Sequence, residues 1–96
     1  MEKNKTTYAN GQLIEETIGN IRTIYFKNGK IKAQGPVSAG KMDGKWTFYR
    51  ETGELWQTGE LKADIKHGIW ERFDRDGQCD YHEEFREGRQ VKKNRE

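Results

Sequence analysis

The sequence predicts an all-β chain, a single-layer antiparallel meander of about four stacked β-hairpins ended by a short charged tail. Three observations carry this expectation. Gly29, Gly53 and Gly77 recur at a step of 24 residues (53 − 29 and 77 − 53). Aromatic and β-branched runs such as Trp46-Thr47-Phe48-Tyr49 precede these glycines, as suits pleated strands. The composition is too polar for a thick core, with 31% hydrophobic and 35% charged residues. Disorder is opposed by an aromatic fraction of 11% and by charges that nearly cancel, 18 Lys+Arg against 16 Asp+Glu.

The 24-residue step extends well beyond the turn glycines. It links Tyr25 with Tyr49 and Phe73, Ile31 with Leu55 and Cys79, and Val37 with Leu61 and Phe85. It also joins Gly35 to Gly59, Gly44 to Gly68, and Trp46 to Trp70. Such self-similarity is the mark of a repeat architecture in which each unit touches mainly its neighbours.

Each unit reads as a strand, a turn and a return strand. The turns are Asn10-Gly11, Asn28-Gly29, Thr52-Gly53 and Asp76-Gly77. Glycine accepts positive φ, and Asn or Asp tolerates it, so these pairs signal hairpins. Both a type I′ turn and a type I turn with a G1 bulge satisfy the pattern. A shorter first unit is displaced by 18 residues, Tyr8 to Leu13 resembling Phe26 to Ile31. Its link, Gly19-Asn20, stands where later units have six residues, 39–44. About eight strands are expected, in a domain spanning residues 6–88. Its units are 6–19, 21–44, 45–68 and 69–88, and residues 89–96 form the tail.

Alternation along each strand divides the apolar residues into two sets. Tyr25, Ile31, Val37, Tyr49, Leu55, Leu61, Phe73, Cys79 and Phe85 repeat faithfully and are expected to be the principal core stripe. Gly35 and Gly59 fall on return strands, where a missing side chain leaves room for a neighbouring ring. Ile24, Phe26, Trp46, Phe48, Trp56 and Trp70 form the second set. These rings either ladder along the stack and close it, or stand partly exposed as an interaction surface. Trp56, Phe48, Trp46 and Trp70 are therefore the candidate partner-binding residues. Trp56 leads them, because the matching positions hold Lys32 and Asp80 and the repeat does not require a ring there.

The residues offer little to catalysis. Cys79 and His82 form a lone Cys-x-x-His with His67 distant, whereas zinc wants three or four ligands. The adjacent pairs Glu15-Glu16 and Glu83-Glu84 would point to opposite faces of a strand. Ser38 is the one serine, and the glycines follow the repeat rather than a phosphate loop. No catalytic residue, metal or cofactor is expected. A single cysteine allows no internal disulfide. The opening residues lead into no apolar stretch, so a cytoplasmic address is the expectation.

The pattern Gly44-Lys45-Trp46, Tyr49, Gly53-Glu54-Leu55, Gly59, Leu61 and Gly68-Ile69-Trp70 resembles the MORN class of repeats. In particular it resembles the bacterial variant in the YwqK-type antitoxin family. The resemblance covers about residues 21–88 and, more weakly, 6–19. Arg22 stands where the unit has Trp, and Glu83 where it has its second glycine, as in capping repeats. The resemblance implies a protein-binding module that masks a toxin or another effector. A membrane-apposed scaffold is a second implication, helped by the basic residues Arg86, Arg89, Lys92, Lys93 and Arg95. Single-stranded nucleic-acid binding is a third reading, since rings beside Lys and Arg stack bases. Glu51, Glu54, Glu60, Asp64 and Asp74 interrupt any continuous basic groove, and this disfavours nucleic acid.

Overall fold

The computed structural model describes residues 7–91. Among these residues there is no helix. The chain forms one open antiparallel sheet measuring 57 × 33 × 20 Å. Its strands are β1 (Glu15–Ile18), β2 (Ile21–Tyr25), β3 (Ile31–Ser38), β4 (Lys41–Met42), β5 (Gly44–Tyr49), β6 (Leu55–Lys62), β7 (Ile65–Phe73), β8 (Cys79–Arg86) and β9 (Arg89–Gln90). They lie in sequence order, except that the short β4 pairs only with β3. The first unit contributes an isolated bridge, Thr7 to Leu13, ahead of β1. Pairing of Arg89–Gln90 with β8 carries the sheet past residue 88, into the segment expected to be tail. Lys92, Lys93 and Arg95 of the basic cluster lie outside the described residues.

One end of the sheet is built from four equivalent turns. In each, a residue donates to the carbonyl four positions on and accepts from the glycine three positions on. The pairs are Tyr8 with Gln12 and Gly11, Phe26 with Lys30 and Gly29, Arg50 with Glu54 and Gly53, and Asp74 with Gln78 and Gly77. Only the glycine has positive φ; Asn10, Asn28, Thr52 and Asp76 do not. That is the type I turn with a G1 bulge, which decides between the two geometries left open by the sequence. Neighbouring turns are stitched together. Asn10 Nδ2 donates to Lys27 O, Asn28 Nδ2 to Glu51 O, and an Arg50 guanidinium nitrogen (Nη2) to Phe73 O.

The opposite end has its own period, which the sequence reading missed. Ala39 and Gly40, then Ala63 and Asp64, then Glu87 and Gly88, all have positive φ. These are two-residue type I′ connections. Residues 39–44 are therefore a tight turn plus β4, not the six-residue link expected. The extra length comes after the turn. Val37 pairs with Met42, yet Ala33 pairs with Phe48, so the register slips by two residues around Gly44. The same slip occurs around Gly68, between the Glu60–His67 and Thr58–Glu71 pairs.

The core lies on the face that bears the indoles. Trp46 is fully enclosed, and Trp70, Ala33 and Leu61 are buried beside it. Ile24, Val37, Met42, Phe48 and Phe85 pack around them. This corrects the expected core stripe. An extra residue in each return strand sits between Ile24 and Tyr25, Phe48 and Tyr49, and Arg72 and Phe73 of the partner strand. Such a bulge reverses the alternation. Val37, Leu61 and Phe85 therefore join the indoles, whereas Ile31, Leu55 and Cys79 turn to the opposite face with Tyr25, Tyr49 and Phe73.

Gly35 and Gly59 serve the purpose expected of them. Each lies beneath an indole, so close that a Cβ would stand 2.4 Å from the Trp46 ring or 2.0 Å from the Trp70 ring. Each indole also satisfies its polar atom: Trp46 Nε1 donates to Pro36 O at 2.8 Å, and Trp70 Nε1 to Glu60 O at 3.0 Å. Phe48 bridges the two indoles, with centroids 6.3 and 5.6 Å away, and Phe85 meets Trp70 edge-on at 6.4 Å. Burying large rings against bare backbone lets a single-layer sheet enclose them; truncating such a ring typically costs about 3–5 kcal/mol.

Candidate protein-docking face

The face opposite the indoles carries two bands. Cross-strand pairing aligns Glu16, Thr23, Gln34 and Thr47, then Thr58, Glu71 and His82, as a polar row. Within it Gln34 Nε2 donates to the buried Thr23 Oγ1 at 2.8 Å. Toward the type I turns runs an apolar band. Tyr25 lies opposite Ile31, Tyr49 opposite Leu55, and Phe73 opposite Cys79. Tyr25, Ile31, Tyr49, Leu55 and Phe73 are half-buried, and Cys79 is exposed.

Trp56 belongs to this band. It alternates with Gln57 and precedes Thr58 by two residues, so it shares the face of the polar row and of Tyr49. It is 36% exposed. Among the described residues its Nε1 has no counterpart of the carbonyl bonds made by Trp46 and Trp70. Nearby, Gly29, Lys30, Ile31, Tyr49 and Gly53 line a shallow hollow of about 430 Å³.

The four candidate residues are thus divided. Trp46, Phe48 and Trp70 stand together on the indole face, where the two indoles are buried and Phe48 is half-buried. Trp56 stands on the other face. Residues the sequence reading placed in the core, Tyr49, Leu55 and Ile31, instead share its face. What separates them is a second bulge, three residues past each turn glycine at Lys32, Trp56 and Asp80, and no recurring residue type marks it.

One phenol in the band is electrostatically held. Tyr25 Oη donates to Glu16 Oε2 at 2.7 Å. That hydrogen bond first, then burial and the negative charge of Glu16, raise the phenol above its ordinary 10.0. The backbone of Tyr25 is tied in turn to the first unit, because Tyr8 Oη donates to Tyr25 O at 2.7 Å. For metal binding, no group of three or more His, Cys, Asp or Glu converges among the described residues.

Comparison with known proteins bears on the units that build this face. A family model described as a MORN repeat variant matches residues 19–38 and 42–63. Each matched segment contains one type I turn with its flanking strands, β2 and β3 in the first and β5 and β6 in the second. No curated protein and no solved structure gives a match. The family model thus matches the two central hairpins as two repeats of the MORN variant.

Proposed function

We propose that this chain is a non-enzymatic binding module that masks a toxin or another effector protein, using the face opposite the indoles. The observation that carries this reading is Trp56. The repeated indoles are consumed by the fold, each seated on a glycine and bonded to a carbonyl. Trp56 is not repeated and stands 36% exposed beside Tyr49 and Leu55. A Trp amid half-buried aromatic and aliphatic neighbours is the composition of a binding hot spot. The MORN-variant units support a binding role, and the resemblance to small antitoxins supports a protein partner.

The test is capture from the native host with wild type and with Trp56→Ala, followed by calorimetry against the captured protein. Trp56→Ala is expected to leave the melting temperature nearly unchanged and to weaken binding by ~2 kcal/mol or more. Unchanged affinity rejects this face as the docking surface. A capture dominated by lipid or nucleic acid rejects the protein-partner reading.

A further inference from the structure

The type I′ end of the sheet contains a lock that is complete in one unit and missing in the next. Between the second and third units, Asp64 Oδ1 accepts the Met42 N–H at 2.8 Å and Asp43 Oδ1 accepts the Ala63 N–H at 3.0 Å. The Asp64 N–H meanwhile donates to Met42 O at 2.8 Å. Two carboxylates therefore fasten adjacent turns by binding backbone amides.

Twenty-four residues on, Met42 becomes Lys66, Ala63 becomes Glu87, Asp43 becomes His67 and Asp64 becomes Gly88. The backbone part of the lock persists, since the Gly88 N–H donates to Lys66 O at 3.0 Å. The register persists too: Leu61 pairs with Lys66 as Val37 pairs with Met42. Both carboxylates are gone. Beside this turn lies a hollow of about 560 Å³ whose lining includes Lys62, Ile65, Lys66, His67, Arg86 and Glu87, and Ile65 Cγ2 stands 3.0 Å from where a Cβ on Gly88 would be.

The surroundings replace the lost negative charge with positive charge. Lys62, Lys66 and Arg86 against Glu87 give the lining a formal charge of +2 with His67 neutral (3 − 1). Arg86 also lies directly opposite Arg89 across the last hairpin. Like charges in that position are destabilising, and an incoming anion would relieve them. Lys66 is held in place, its Nζ 4.8 Å from the Trp70 ring centroid and 4.6 Å from that of Phe85.

We propose that this hollow is a carboxylate-binding subsite that takes an Asp or Glu side chain of the protein partner. The incoming carboxylate supplies what Asp43 and Asp64 supply in the preceding unit, accepting from the Lys66 and Glu87 amides, while Lys62 and Arg86 neutralise it. Ile65, 48% exposed, offers apolar contact to the methylenes of the same segment. This proposal rests on the protein-binding reading and adds to it an acidic determinant at the end of the sheet away from the type I turns.

The experiment is an NMR titration of backbone amides with a hexaglutamate peptide, using the full chain. The Lys66 and Glu87 resonances are expected to shift saturably. The half-saturation concentration should rise about tenfold or more in the double variant Lys62→Gln/Arg86→Gln. It should rise similarly in His67→Asp, which restores one of the missing carboxylates. The amide spectrum itself reports that each variant is folded. Three results overturn the proposal: no movement of those two amides, an equal response to inorganic phosphate, or preferential binding to phosphatidylserine vesicles. Because the peptide carries no apolar anchor, its failure leaves the Trp56 test standing. Loss of Trp56 dependence in partner capture likewise leaves the amide shifts unaffected.

Discussion

The indole of Trp46 covers the backbone of Gly35 so closely that a Cβ on that glycine would stand 2.4 Å from the indole Cγ and Cδ2. The two residues are one structural element. Gly35→Ala should therefore cost about 1–3 kcal/mol or more through overpacking. In a Trp46→Val background, where the ring is absent, the same methyl should cost little. Chemical denaturation of the four proteins gives the coupling energy, and additive effects would show that the ring does not depend on the glycine.

The two ends of the sheet strain their glycines differently. Gly53 has φ 109°, outside the left-handed region open to other residues, whereas Gly19 at φ 64° lies within it. Among the described residues no atom lies within 4 Å of a Cβ on Gly19, and only Lys30 Cδ, at 3.8 Å, approaches one on Gly53. Backbone strain alone separates the sites. Gly53→Val should cost ~1–2 kcal/mol or more, and Gly19→Ala less. Conversely Ala39, at φ 53° in a type I′ turn, should gain a few tenths of a kcal/mol or more on Ala39→Asn, which creates an Asn-Gly pair. Urea midpoints report all three.

Stability should also fall in strongly alkaline solution through Tyr25. Its phenol is held above 10.0 by the hydrogen bond to Glu16. Below pH 10 both folded and unfolded chains keep this proton, so the contribution is complete. Above it the unfolded chain ionises first, and the stabilisation is lost as pH rises through the folded value. Urea midpoints at about pH 9 and about pH 11 should therefore differ less for Tyr25→Phe than for wild type. An identical drop in both proteins would remove the Tyr25–Glu16 bond from the explanation.

The period of 24 residues was legible because each unit meets the same neighbours, so the same residue types recur at Gly29, Gly35, Gly44 and Trp46. Side-chain faces were less legible. Ile31 and Val37 are six apart, an even spacing that places them together in any regular strand. One extra residue beside Tyr25 puts them on opposite faces. Nothing in the residue types announces that bulge, because the extra residue is Lys32 in one unit, Trp56 in the next and Asp80 in the last. The type I′ turns escaped for a related reason. Ala39 and Ala63 adopt positive φ although alanine does not favour it, and neighbouring carboxylates hold the turns in place. The basic hollow was invisible because its meaning lies in two absences, at His67 and Gly88, that matter only once Asp43 and Asp64 are seen at work.

Modularity gives the most demanding prediction. Removing residues 45–68 joins Gly44 to Ile69, so the new chain reads Gly44-Ile69-Trp70 where it read Gly44-Lys45-Trp46. The indole of Trp70 then falls on Gly35 and finds Pro36 O for its Nε1, recreating the seat that Trp46 occupies in wild type. Strand direction and face are both preserved, because a unit contains two strands. The shortened protein should fold with lower stability, having lost two indoles, of which one is a core ring, and one unit interface. Removing residues 45–56 instead deletes β5 and its turn. Segment 57–62 would then follow Gly44 in the place of β5, setting Thr58 where Trp46 covers Gly35, and the 63–64 turn would fall at the end of the sheet built from type I turns, so every later strand would meet its partner reversed. That variant should not fold. Circular dichroism and thermal melts separate the two outcomes. If both deletions unfold the chain, or both leave it folded, the sheet is not held together by nearest-neighbour contacts between equivalent units.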